Sequence, residues 1–197
     1  MKTKFLFSVL ILCIIFNAQA QSKFERSLNE VIQAINQSTG KLQEVTVQTI
    51  EVNSISKARF GGGHTRQLVP INLPPGTQKW YYRVTVMPVN SNYKYLANET
   101  FYYTLANHLS KEAYSPTNGG IDFFLLSSSG DATSFSETGN NNFRYLDGYQ
   151  RLKSNSFIGE GTNSEIGHPN LYIGIRNDNM TEGLKAIVEV VAWGHFQ

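Results

Sequence analysis

Apolar residues recur along this chain with two different periods, and the change from one to the other sets the architecture to expect. Phe24, Leu28, Val31, Ile32 and Ile35 repeat at three- and four-residue spacing until Gly40 stops the run. Ser22, with Glu25 three residues later, supplies a capping-box pair that satisfies the first free N–H groups of a helix. The spacing predicts an amphipathic helix over residues 23–38, whose apolar stripe has to be covered by its own domain or by a partner. From Leu42 the period becomes two. Val45 and Val47 fall on one face and Ile50 and Val52 on the other, and that slip of parity predicts a bulge near Gln48 or two short strands.

Strand patterns then follow one another. Leu68, Val69 and Ile71 form a short strand that ends at Pro74-Pro75-Gly76. Trp80, Tyr82, Val84 and Val86 alternate with Tyr81, Arg83, Thr85 and Met87, giving one wholly apolar and one mixed face until Pro88. Ile121 to Leu126 is almost continuously apolar, as suits the centre of a sheet covered on both sides. Residues 143–146 and 149–152 flank Asp147-Gly148, a hairpin signal, and Asn155 to Gly167 is a polar Ser/Asn/Gly-rich stretch. Leu171, Ile173 and Ile175 mark a strand, Asn177 to Gly183 a turn, and Ala186, Val188, Val190 and Ala192 a final strand. One interruption is helical: Asn98 can cap a helix through about Ser110, with Phe101, Leu105 and Leu109 at four-residue spacing. Phe60-Gly61-Gly62-Gly63-His64 reads as a loop between strands, without the Gly-Lys-Ser/Thr ending of a phosphate-binding loop.

The class that follows is mainly β: an antiparallel β-sandwich of about six to eight strands, with an N-terminal helix and one inserted helix. It is expected to span 41–197, after a helical segment at 21–40 and a leader at 1–20. Met1 to Lys4 is short and positive, Phe5 to Phe16 is apolar, and Ala18-Gln19-Ala20 is a small-residue cleavage site, the three parts of a secretory signal peptide. The apolar run falls short of the roughly twenty residues a transmembrane helix needs. Export to the periplasm, the cell surface or the medium is expected, from a bacterial source, with cleavage near Ala20. The alternative of a lipid anchor on Cys13 has Leu12 against it, where a small residue is wanted. Cys13 is the single cysteine and lies inside the leader, so the exported chain carries no thiol and no disulfide.

Strand order and export leave the partner open, and charge narrows it. Two of the 17 Lys and Arg, Lys2 and Lys4, belong to the leader, so the remainder balances the 15 Asp and Glu. Nucleic acid is excluded as the expected partner, since phosphate affinity needs a basic excess or cluster. The strand opening at Trp80, the segment Ile121-Asp122-Phe123-Phe124-Leu125, and the closing pair Leu171 to Asn177 and Lys185 to Val190 resemble the GOLD-type β-sandwich. The resemblance covers residues 68–193, with the 98–110 helix and the 143–152 hairpin as insertions. It implies a non-catalytic module for protein or lipid interaction in secretory traffic.

Reactive constellations are sparse. His64, His108, His168 and His195 are scattered, with no pair at the spacing that presents two metal ligands from one helix. Ser127-Ser128-Ser129-Gly130 is a weak substitute for a nucleophile elbow. Asp122, with Glu160 or Glu165, offers carboxylates for glycoside hydrolysis, although a strand residue satisfied by backbone donors explains Asp122 as well. Asn177-Asp178-Asn179 with Glu182 supplies oxygen donors of the kind Ca²⁺ takes, or an Asx-stabilised turn. No cofactor is expected. Aromatic density points to an exposed patch of Tyr81, Arg83, Tyr93 and Tyr95, with Lys94 nearby, that would hold a protein surface or a sugar ring; packing under a covered sheet is the competing explanation. The expected function is a non-catalytic sandwich binding a protein, glycan or lipid outside the cell. A small secreted hydrolase built on the polar stretch from 127 to 169 is the alternative.

Overall fold

The computed structural model describes residues 23–91, 99–107, 120–137, 139–161 and 170–196. Helix α1 occupies 23–36 and ends where the Gln37 and Ser38 N–H groups donate to the carbonyls of Gln33 and Ile35. Eight strands follow: β1 (Lys41–Val52), β2 (Arg66–Ile71), β3 (Thr77–Pro88), β4 (Ile121–Leu126), β5 (Arg151–Ser154), β6 (Phe157–Gly161), β7 (Leu171–Arg176) and β8 (Leu184–Gly194). Between them lie three short helices, α2 (Ile55–Gly61), α3 (Phe101–Ala106) and α4 (Ser129–Ser136).

The strands form two four-stranded antiparallel sheets, ordered β1-β8-β3-β6 and β2-β7-β4-β5. The first strand pairs with the last, the second with the seventh, the third with the sixth and the fourth with the fifth. A chain doubled back on itself and then rolled so that successive pairs alternate between two sheets gives this order, which is the jelly-roll form of the β-sandwich. Trp80, Tyr82, Val84 and Val86 of β3 and Ala186, Val188 and Val190 of β8 point inward. They meet Val69, Phe123, Leu125, Ile173 and Ile175 of the opposite sheet in one buried core. The predicted two-sided burial of Ile121 to Leu126 holds, since all six residues of β4 are buried.

Each sheet also has a covered outer face. Phe24, Leu28, Val31 and Ile32 of α1 and Phe101 and Leu105 of α3 pack on Tyr81, Ile158, Val191 and Trp193 of the first sheet. The apolar stripe of α1 is therefore spent on its own domain. On the second sheet, Ala132 and Phe135 of α4 with Phe143 cover Phe124, Leu126 and Tyr172.

Several elements depart from the sequence pattern. The Phe60 to His64 segment is not a plain loop: Ser54 caps α2 across 55–61, its hydroxyl accepting from the Lys57 N–H. The bulge in β1 falls between Glu44 and Thr46, several residues before Gln48. Residues 143–146 form no strand; the Leu146 N–H reaches the Leu125 carbonyl, the chain turns, and only the later arm continues into β5. The polar stretch after Asn155 contains β6, and the inserted helix is capped by Thr100 and ends at Ala106.

Candidate functional site

The expected aromatic patch does not form on β3. Tyr81 and Arg83 lie on its outward face, which α1 and α3 cover, and they are 1% and 6% exposed. Arg83 stands directly across the ladder from Glu189 of β8, and its Nε donates to Glu189 Oε2 at 2.5 Å. The second carboxylate oxygen accepts the Phe101 N–H, the guanidinium also donates to the Glu99 carbonyl, and it stacks over the Phe101 ring. The pair thus fastens α3 to the sheet, as a buried charge must be paired and hydrogen-bonded to be tolerated. Burial, with the Glu160 charge nearby, pushes the Tyr81 hydroxyl up to about 12. Tyr93, Tyr95 and Lys94 lie outside the described residues.

A second charged group runs across the start of β2, the end of β7 and the start of β4. The register sets Arg66 opposite Arg176, and Arg176 opposite Asp122. Arg176 grips Asp122 Oδ2 through Nε at 3.0 Å and Nη2 at 2.8 Å, and the Lys153 N–H donates to Oδ1. Arg66 donates to the carbonyls of Phe135, Glu137 and Asn140, closing the C-terminal end of α4. Burial beside Arg176 pushes the Arg66 guanidinium below its ordinary range. Asp178 stands 3.3 Å from Arg176; burial and the neighbouring Asp122 carboxylate raise it above the usual carboxylate range.

This arrangement is structural in its use of charge. Asp122 has both oxygens engaged, one of them by a guanidinium in a two-point grip, so its charge is used to join β4 to β7. The sequence pattern suggests backbone donors for it; among the described residues Lys153 supplies one, and Arg176 is the stronger partner. Glu160 lies on the other sheet and pairs with Lys79 at 3.5 Å, so it does not meet Asp122, and Glu165 lies outside the described residues. Ser128 caps α4, accepting the Asp131 N–H and donating to Asp131 Oδ2, so the serine run serves a helix start. These bonds hold the Asp131 carboxyl below its ordinary range.

One end of the sandwich is built differently. There β1 gives way to α2, β3 ends at Pro88, and the 177–183 turn joins β7 to β8. Asn177 fixes the turn. It is wholly buried, its amide donates to the Val52 and Glu182 carbonyls, and its Oδ1 accepts the Asn179 N–H. Asn179 Oδ1 accepts in turn from the Thr181 and Glu182 N–H groups. The Asx-turn reading of this segment holds. The Ile55 and Ser56 N–H groups donate to the Asn179 and Met180 carbonyls, tying α2 to the turn.

Between these segments opens a cleft of about 580 Å³, lined by Ser54, Lys57, Asn90, Asn179, Thr181 and Glu182 with Pro88 and Val89. Glu182 Oε2 is buried there and has no hydrogen-bond partner among the described residues. A cleft of about 380 Å³, lined by Ile55, Ala58, Arg59, Thr65, Arg66 and Asp178, lies along another face of α2. No side chain of α2 is buried, and Phe60 is 85% exposed. Sequence reasoning singled out Glu182 only as an oxygen donor; Lys57 and Asn90 gave no signal, because strand pairing alone brings them beside the turn.

His64 and His195 are exposed, and His108 and His168 lie outside the described residues. Among the described residues no group of three or more His, Cys, Asp or Glu is placed to hold a metal ion, and no helix is long and apolar enough to cross a membrane.

Comparison with known proteins returns little. No family matches the chain, and no curated protein does. Among solved structures it is similar to the decameric BFDV capsid protein, at 8% identity and a TM-score of 0.38, over 79% of this chain and 98% of that one. It is also similar to the cyanophage Pam1 capsid asymmetric unit, at 12% identity and a TM-score of 0.30, over 78% of this chain and 85% of that one. Neither likeness bears on function at these values.

Proposed function

We propose that the chain is exported and works outside the cytoplasm as a non-catalytic β-sandwich that binds a protein, glycan or lipid. The observation that carries this reading is the cleft of about 580 Å³ at the end of the sandwich, where polar groups from α2 and its cap, the segment after β3 and the 177–183 turn converge. Concave sites with a few convergent polar groups are the usual form of a ligand site. The charged groups elsewhere, Arg83 with Glu189 and Arg176 with Asp122, are committed to holding elements together. The leader at 1–20 supports export, and the resemblance of residues 68–193 to GOLD-type sandwiches supports a binding role over a catalytic one.

The test is a thermal-shift screen of the exported form against oligosaccharides, phospholipid vesicles and soluble envelope proteins, with the ligand recovered afterwards. A rise in Tm with the ligand returned unchanged is expected, since binding to the native state alone stabilises it. Conversion of the ligand into product, abolished by a point substitution, would replace this reading with an enzymatic one. Amino-terminal sequencing of the protein from culture medium or periplasm checks export: the first residue is expected to be Gln21.

A further inference from the structure

We propose that a second cleft, between α1 and the β5–β6 hairpin, takes a phosphate monoester held by Arg151 and Lys23. It stands apart from the cleft beside α2 and does not depend on it. The space is about 200 Å³, and its wall includes Lys23, Arg151, Ser154, Asn155, Ser156 and Phe157. The two cations are far apart in sequence. They meet because Phe24 and Leu28 of α1 pack in one cluster with Ile158 of β6, which seats Lys23 beside the hairpin that carries Arg151.

Charge selects the occupant. Lys23 is exposed and Arg151 half-buried, and among the described residues neither enters an ion pair. The carboxylates carried by the neighbouring elements are engaged or turned away. Glu160 of β6 pairs with Lys79, Asp122 of β4 is gripped by Arg176, and Glu25 stands about 200° round α1 from Lys23. Residues 1–22, which lead into Lys23, contain no Asp or Glu. Two cations without a counter-charge on one small cleft call for an anion, and a phosphate monoester carries about −1.5 to −2 at pH 7, where a carboxylate carries only −1. Lysine and arginine are donors without an acceptor, as the oxygens of a phosphate require.

Arg151 is also placed before any ligand arrives. Its guanidinium carbon lies 4.8 Å from the centre of the Phe157 ring, a cation–π contact at the wall of the cleft. That ring is itself fixed, 8% exposed and packed edge-on against Phe123 and Tyr82. The hairpin is pinned on both sides: the Val86 N–H donates to Ser156 Oγ at 2.9 Å, and the Lys153 N–H donates to Asp122 Oδ1. A guanidinium held in place by packing loses little further freedom on meeting an anion, so its donors are used at low entropic cost.

The experiment is isothermal titration of the exported chain with glycerol 3-phosphate and inorganic phosphate, with acetate and an acidic tripeptide as carboxylate controls. Phosphatidylcholine vesicles containing phosphatidic acid separate a lipid headgroup from a soluble ester. Glycerol 3-phosphate is expected to bind, more weakly as salt is raised. Arg151→Gln is expected to raise its Kd by about tenfold or more, and Arg151→Lys, which keeps the charge and loses the fork, by less. Lys23→Gln, at an exposed position, should weaken binding with Tm unchanged, and it decides the matter if Arg151→Gln fails to fold. Binding of the vesicles alone, lost in the same variants, would support the site and assign its ester to a lipid headgroup. Acetate or the tripeptide bound as tightly as the phosphates, binding that survives both Arg151→Gln and Lys23→Gln, or no binding of any phosphate would overturn the proposal. The binding reading of the α2 cleft would stand in each of those cases, because neither residue lines it.

Discussion

Arg83 shows at the level of one residue why a sequence pattern misleads about exposure. The mixed face of its strand looks solvated because Arg and Thr alternate with Tyr and Met, yet a buried Glu sits opposite and two helices lie above. Arg83→Ala would leave Glu189 buried with one partner gone, so a loss of about 3–5 kcal/mol is expected in urea denaturation. A change below about 1 kcal/mol would return Arg83 to the surface and revive the patch. Tyr81 gives a second residue-level outcome. Its hydroxyl is raised to about 12, above the ordinary value of about 10, so the fold favours the neutral form. The stability it contributes is fully present below pH about 10 and is lost as pH climbs toward 12. Wild type should therefore lose stability relative to Tyr81→Phe over that interval, as read from paired urea denaturations. A gap that stays constant, or a Tyr81 that titrates with the exposed tyrosines, would contradict its burial.

Among the elements, those legible in the sequence are the ones whose own periodicity decides them. The β3, β4, β7 and β8 patterns and the α1 stripe follow from side chains that must face one core, and the structure places them accordingly. Elements decided by something outside the segment were missed. Helix α2 buries no side chain, so it leaves no apolar stripe to detect, and it persists through the Ser54 cap and backbone bonds to the 177–183 turn. Strand β6 looks like a polar loop because its glycines answer a neighbour: a Cβ on Gly159 would fall 2.1 Å from the Tyr82 ring and one on Gly161 1.8 Å from that of Trp80. Each glycine is the ladder partner of that aromatic residue. Gly161→Ala should destabilise by about 1–3 kcal/mol, the usual range for overpacking a closed site. A melting temperature within a degree of wild type would mean that β6 does not seat against β3 as described.

For the whole molecule, the sandwich was readable and the cleft at its rim was not. Alternation of apolar residues specifies two faces per strand and hence two sheets, but says nothing of which strand ends meet. The roll of the chain brings the ends of β1, β3 and β7 to one rim, and there Lys57, Asn90 and Glu182, separated by 33 and 92 residues in sequence, line a single cleft. The residues that looked functional, Tyr81 and Arg83, sit in the joint between the first sheet and the helices α1 and α3 that cover it, while Tyr93 and Tyr95 lie outside the described residues. The account stands on that rim being the place where this molecule meets its ligand. Backbone amide chemical shifts recorded during titration with the best-stabilising compound test it most directly. The account predicts perturbations concentrated at Asn90, Asn179, Thr181, Glu182 and Gly183 with the compound unaltered; shifts gathered on α1, α4 or the sheet edges instead, or steady consumption of the compound, would contradict it.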